Sequence, residues 1–180
     1  VEQYPNSEHS VEALYKIGLD TLFKQRDIAG AIQLFKDAAS KKHPFWSMAA
    51  RTSLGICYYH HGSTQKALFE LRKVAFQDIP TTHSVTALSF METIFLNDGN
   101  IKEASRIISE RVKQLKILIK KTDRDNSKDR GEYLYHLGIS LIDANERQEG
   151  IKYLTEAKKL GPELLGADIY RAVVDALTHA

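Results

Sequence analysis

Apolar side chains recur along this chain at steps of three and four residues, which places them on one face of an α-helix. One run includes Leu14, Ile17 and Leu22, and the next begins at Ile28 and continues through Phe35. Glycine and proline fall mainly between such runs, where they end helices and form turns. The pattern predicts helices near 8–25, 28–41, 45–61, 64–76, 82–97, 100–122, 129–145, 147–160 and 163–178, with almost no strand.

Small residues occupy matching positions in two of the predicted helix pairs. Gly55 and Ala67 are twelve residues apart, and so are Gly138 and Gly150. This spacing places one small side chain on each helix of a pair at the point where the two helices cross. Because a small side chain leaves room at the crossing, we expect the two axes to approach closely there.

This pattern resembles the tetratricopeptide repeat (TPR) family, whose helix hairpins of about 34 residues stack on one another. The resemblance is most specific in the second and fourth hairpins. The first hairpin has one residue more between Gly18 and Ala31. The resemblance implies an all-α, TPR-like α-solenoid of four helix hairpins, one with an extended second helix, plus a C-terminal capping helix. The expected division is residues 1–7 as the tail of a preceding repeat or a linker, 8–162 as the array (hairpins at about 8–42, 45–78, 82–122 and 129–162), and 163–180 as the capping helix.

The resemblance also implies a partner-binding groove, because the first helix of each TPR hairpin lines the concave side of the array. The corresponding positions here are aromatic, aliphatic and polar: Tyr15, Leu19, Phe23, Thr52, Ile56, Tyr59, His60, Thr93, Leu96, Asn97, Tyr135 and Ile139. Such a mixture suits an extended segment or an amphipathic helix with apolar anchors. A second interpretation stays open, in which a short array folds its first helices onto the capping helix and buries some of these side chains.

A basic segment forms the C-terminal half of the third hairpin's predicted second helix and continues just beyond it. Its cationic residues are Arg111, Lys113, Lys116, Lys120, Lys121 and Arg124, interleaved with aliphatic residues. Over residues 111–130, eight basic residues stand against three acidic ones, which gives a local charge of +5. The preferred interpretation is an over-long helix that packs on the next hairpin and keeps its lysines in solvent. The alternative is a docking site for an acidic partner or a membrane surface.

Candidate catalytic chemistry is sparse. Cys57 is the only cysteine, and a free cysteine usually behaves as a small apolar residue. The adjacent His60 and His61 would point about 100° apart on a helix and converge poorly on a metal. The acidic stretch between Asp123 and Asp129 lacks the glycine and the glutamate of a calcium loop. No phosphate-binding loop or nucleophile elbow is present, so we expect no enzyme activity, no metal and no cofactor.

Composition narrows the partner classes. The chain has 180 residues, 43% of them hydrophobic, which is typical of a folded protein. A formal net charge of +2 is too small to indicate nucleic-acid binding. No apolar run approaches the ~20 residues of a spanning helix, so we expect no transmembrane segment; membrane contact is disfavoured, and the basic segment is the one place that leaves it open.

These features predict a non-catalytic interaction scaffold or adaptor that binds another protein or a peptide segment and is a fragment of a larger protein. The alternative is a recognition or regulatory module of a larger enzyme or signalling protein. Homo-oligomerisation stays open. So does the compartment, since a cytoplasmic location and the bacterial envelope or periplasm both fit, the latter because Tyr4-Pro5-Asn6-Ser7 resembles repeat junctions of envelope proteins.

Overall fold

The computed structural model describes residues 8–122 and 128–179. Within these ranges the chain forms helices and turns and no strand. The helices are α1 (Glu8–Phe23), α2 (Ile28–Ser40), α3 (Trp46–His60), α4 (Thr64–Ala75), α5 (Thr82–Asn97), α6 (Ile101–Lys121), α7 (Lys128–Asp143), α8 (Arg147–Lys159), α9 (Gly161–Leu165) and α10 (Ala167–His179). The ends of the first eight lie within two residues of the predicted ends.

The chain divides into two compact units. Unit 1 contains α1 to α4 and the part of α5 up to Ile94. Unit 2 contains the rest of α5 from Phe95, together with α6 to α10 and the short stretch Ile79–Thr81.

The core of unit 1 lies where α1, α2 and α3 meet. Ala31, Phe35 and Ala38 of α2 are fully buried, and Val11 of α1 and Leu54 of α3 pack into the same cluster. These positions follow the three- and four-residue steps that the sequence predicted, because only that spacing keeps the apolar side chains on one face of each helix.

Close helix crossings depend on the small residues. A Cβ atom added at Gly55 would lie 2.7 Å from Cγ of Leu71, and one added at Gly138 would lie 2.6 Å from Cγ of Leu154. At Gly150 the obstacle is backbone, because the added Cβ would lie 2.6 Å from the carbonyl oxygen of Gly138. Real Cβ atoms do not approach this closely, so the predicted role of the small residues is confirmed.

The four turns between α1 and α2, α3 and α4, α5 and α6, and α7 and α8 share one geometry. Two residues before each second helix stands a residue with positive φ: Arg26 (58°), Gly62 (76°), Gly99 (69°) and Asn145 (65°). The next amide donates back to a carbonyl near the end of the first helix, as a helix-terminating left-handed motif requires. In the last three turns that carbonyl lies five residues back, but Asp27 N donates to Thr21 O, six back. The longer loop matches the additional residue of the first hairpin.

Unit 2 is closed by its C-terminal segment, which differs from the prediction. In place of one capping helix starting at 163, α9 ends at Leu165 and α10 starts at Ala167. Gly166 separates them with φ 83°, a left-handed conformation that glycine adopts without strain, and its amide donates to Pro162 O. Leu165 is fully buried and contacts Gly131 of α7, and α10 packs on α7 and α8.

Candidate partner-binding site

An apolar cavity of about 300 Å³ opens on unit 1 beside the turn from α1 to α2. Its walls are Leu22, Phe23, Arg26, Ile28, Ile56, Cys57 and His60. Three of these residues, Phe23, Ile56 and His60, belong to the groove that the sequence predicted. The cavity therefore brings three predicted groove residues together in unit 1.

Local structure explains how these side chains converge. Leu22 and Phe23 form the last turn of α1, and Ile28 begins α2 after the longer loop. Helix α3 contributes Ile56 and His60, which are one turn apart and so lie on the same face. Phe23 is 73% exposed, which is unusual for a phenylalanine beside an apolar cavity and gives the site an uncovered hydrophobic rim.

Electrostatics leave the cavity floor neutral. Cys57 is 1% exposed, and burial raises the pKa of its thiol to about 11. A thiol with this pKa carries almost no thiolate at neutral pH, so Cys57 is a poor nucleophile. At the mouth, the Arg26 guanidinium makes no ion pair with any residue that the structure describes.

The predicted groove residues of unit 1 fall into two groups. Phe23, His60 and Thr93 are exposed, and Ile56 and Tyr59 are half-buried. Tyr15 and Leu19 instead pack against the core cluster, where the Tyr15 ring lies 5.8 Å from the Phe35 ring and 5.6 Å from the Trp46 ring.

Thr52 departs from the prediction. It is 5% exposed, and its hydroxyl donates to the carbonyl of Met48 one turn back. The neighbouring helices cover this part of α3 because α1 and α2 both pack on it. Thr52 is therefore a buried residue whose polar group is satisfied within its own helix, and it cannot present a hydroxyl to a partner.

In unit 2 the predicted groove residues are divided in the same way. Leu96 and Asn97 are exposed and Ile139 is half-buried. Tyr135 packs against the core cluster that contains Leu165 and Val173, from α9 and α10. Tyr135 therefore fits the second interpretation, in which the C-terminal segment covers part of the predicted groove, better than it fits an open groove.

Arg111 does not belong to the predicted basic patch. This residue is 7% exposed; its Nε donates to Ser140 Oγ at 2.8 Å and it pairs with Asp143 at 3.2 Å. Arg111 therefore ties α6 to α7 and is not part of a surface patch.

Two lysines of the segment have their charge offset by ion pairs with glutamates. Lys113 pairs with Glu110 at 3.6 Å, and Lys116 pairs with Glu149 of α8 at 3.2 Å. Lys120 and Lys121 are exposed, and Arg124 lies outside the described residues. These contacts agree with a long helix that packs on the next hairpin and reduce the charge available to an acidic partner.

Arg26, Ile28 and Cys57 are cavity residues that the sequence did not single out as binding residues. The available signal was the cationic residue at 26, where the other turns carry glycine or asparagine. Among the described residues, no group of three or more histidine, cysteine, aspartate or glutamate side chains is placed to hold a metal ion. No helix there combines the length and the apolar character needed to cross a bilayer.

Comparison with known proteins identifies the fold. No protein-family model matches the chain, and no curated protein matches it. Among solved structures, the chain is similar to nearly identical TPR-like repeats of a Podosopora anserina protein designated a kinesin light chain, with a TM-score of 0.54 at 15% identity over 88% of this chain and 77% of that one. A second crystal structure of these repeats gives a TM-score of 0.52 at 14% identity over 90% and 80%.

The chain has a TPR-like fold. This confirms the all-α, solenoid-type architecture that the sequence predicted. At such low identity the similarity concerns the fold alone, and the TPR-like fold is typical of protein-interaction scaffolds.

Proposed function

We propose that this chain is a non-catalytic scaffold that binds a segment of another protein on unit 1, with an apolar side chain of that segment seated in the cavity beside Phe23. The observation that carries the proposal is the cavity itself, because it unites predicted groove residues from α1 and α3 around an uncovered hydrophobic rim. The TPR-like fold supports the general role.

The cavity chemistry favours an apolar anchor. Five of its seven lining residues are apolar or a neutral thiol. A volume of about 300 Å³ lies at the lower end of typical ligand pockets, which suits one or two side chains of a peptide better than a large cofactor. Phe23 would lose water on binding, and apolar burial contributes about 25 cal/mol per Å².

Arg26 adds a polar element at the mouth. Its left-handed backbone is strained for a residue with a side chain, at a cost of about 1–2 kcal/mol, where Gly62 and Gly99 occupy the equivalent turns. A strained residue that persists beside a cavity motivates a functional role. Its guanidinium can donate to a backbone carbonyl of the bound segment and so fix its direction.

The experiment is a selection of peptides from a random display library on the folded chain, followed by amide chemical-shift mapping of the selected peptide. The proposal expects the largest shifts at Phe23, Arg26, Ile56 and His60. Shifts confined to unit 2, or a failure to select any peptide above background, would reject the cavity as the partner site.

A further inference from the structure

Helix α4 carries a second apolar surface that the core of unit 1 does not use. Its core face consists of Ala67, Leu71, Val74 and Ala75, all buried. On the outer side, Phe69 is 61% exposed and Phe76 is 49% exposed. A single exposed phenylalanine is ordinary, but here one lies on α4 and a second directly after its end. Such a concentration of exposed apolar side chains is typical of an interaction surface.

These side chains form one continuous stripe. Gln65, Leu68, Phe69, Arg72 and Lys73 stand at positions i, i+3, i+4, i+7 and i+8 of α4, so they share one side of the helix. Phe76 follows directly after the end of α4. The stripe runs for about 16 Å, or three helical turns. Its first five residues line an open depression of about 470 Å³. We call these six residues the α4 stripe.

The α4 stripe is cationic. Arg72 makes no side-chain ion pair with any described residue, and Lys73 lies 3.7 Å from the centre of the Phe69 ring. The single carboxylate nearby, Glu70, accepts Lys73 at 3.1 Å and is already bound by Arg51 at 2.6 Å. Arg51 and Lys73 therefore share one carboxylate, and Arg72 adds a further positive charge, so the surface keeps a positive excess.

We propose that the α4 stripe is a docking surface for an acidic amphipathic helix of another protein. A helix offers a row of apolar anchors at i, i+3, i+4 and i+7. Such a row can lie along the stripe and contact Leu68, Phe69 and Phe76. Glutamate or aspartate flanking those anchors would pair with Arg72 and Lys73. This surface is distinct from the cavity beside Phe23.

A second copy of this chain is a poorer occupant. In a symmetric dimer the same patch contacts itself, so Arg72 and Lys73 of one protomer would face the like charges of its partner. Like charges across an interface oppose association. The positive excess therefore selects an acidic partner over self-association.

The test uses two synthetic peptides of about 18 residues, or roughly five helical turns, with identical leucine and phenylalanine anchors. One carries glutamate at the remaining helical positions and the other carries lysine. Fluorescence anisotropy with labelled peptide measures binding to the wild-type chain, to Phe69→Ser, and to the double variant Arg72→Glu with Lys73→Glu. Ile17→Ser is the control, because it removes an exposed apolar side chain (50% exposed) of unit 1 that belongs to neither the cavity nor the stripe.

The proposal expects the glutamate peptide to bind the wild type and Ile17→Ser alike, and to bind Phe69→Ser and the charge variant about tenfold or more weakly. The charge variant should also lose the salt dependence of binding. Equal affinity for the lysine peptide, or unchanged binding to Phe69→Ser, would overturn the proposal. A concentration-dependent dimer that Phe69→Ser dissociates, without peptide binding, would assign the stripe to a second copy instead.

Discussion

Glycine and alanine residues at the helix crossings set how closely paired helices approach. Added side-chain atoms would meet a leucine at Gly55 and Gly138 but the backbone at Gly150. A leucine can change its rotamer at moderate cost, whereas a carbonyl oxygen in a regular helix cannot move without breaking the ladder. Position 150 is therefore the least tolerant of the three.

We expect Gly150→Ala to lower the free energy of unfolding by about 1–3 kcal/mol, although alanine favours a helix by about 1 kcal/mol over glycine. The matched control is Thr155→Ala in the same helix, whose side chain is exposed and whose effect should stay within about 0.5 kcal/mol. Denaturant unfolding measures both. Equal stability of the two variants would show that the close approach of α7 and α8 does not require a glycine at position 150.

A half-buried histidine should lower the free energy of unfolding of unit 1 at acid pH. His83 packs its ring 4.7 Å from Phe45, its Nε2 has no hydrogen-bond partner among the described residues, and burial lowers its pKa. Because the folded state then binds a proton less readily than the unfolded state, stability is lost as the pH falls through about 6.5. His83→Phe should reduce this loss. A smaller slope should persist, since the pKa of His136 is also lowered by desolvation and by Arg111.

The check is a series of denaturant midpoints between neutral pH and about pH 5, with the exposed His61→Gln as control. The pH slope should shrink in His83→Phe and stay unchanged in His61→Gln. Identical slopes in the wild type and His83→Phe would mean that folding does not lower the pKa of His83.

At the scale of the elements, local sequence rules predict most of the helix bounds. Helices α1, α3, α5 and α7 end where apolar periodicity stops and a left-handed turn residue follows. The break at Gly166 was missed because the apolar pattern continues across it from Leu165 to Ile169. Periodicity records which face is apolar, and it does not record that the chain changes direction between two apolar positions.

The candidate site was less predictable than the helices. Of the predicted groove residues, Phe23, Ile56 and His60 line the cavity, whereas Thr52, Tyr15 and Tyr135 are covered by neighbouring helices. Their burial results from packing against residues distant in the sequence, such as Trp46 for Tyr15 and the α10 cluster for Tyr135. A single helix's pattern carries no information on which part of its exposed face another helix will cover.

The short helix α9 should contribute strongly to the stability of unit 2. Leu165 is fully buried between α7 and α10, and Leu164 beside it is half-buried. Leu165→Ala should cost about 2–5 kcal/mol through the lost contacts and the cavity left behind. Leu164→Ala, the matched control with the same chemistry, should cost clearly less. Thermal or denaturant melts that rank the two variants in the opposite order would show that α10 is held by other contacts.

For the whole molecule, the TPR-like fold directs attention to surfaces that could bind a partner. Unit 1 offers two separate ones, the cavity beside Phe23 and the α4 stripe. Each is marked by an exposed phenylalanine, Phe23 and Phe69, so the two variants Phe23→Ala and Phe69→Ala form a reciprocal pair. Both changes remove an exposed ring and should leave the melting temperature nearly unchanged.

The most direct measurement is a set of binding isotherms for the library-selected peptide with the wild type, Phe23→Ala and Phe69→Ala. If the cavity seats an apolar anchor, Phe23→Ala should weaken binding by about ten- to hundredfold, while Phe69→Ala binds as the wild type does. Unchanged affinity for Phe23→Ala in a protein that melts normally would contradict the account, because the partner would then bind this scaffold without its exposed phenylalanine rim.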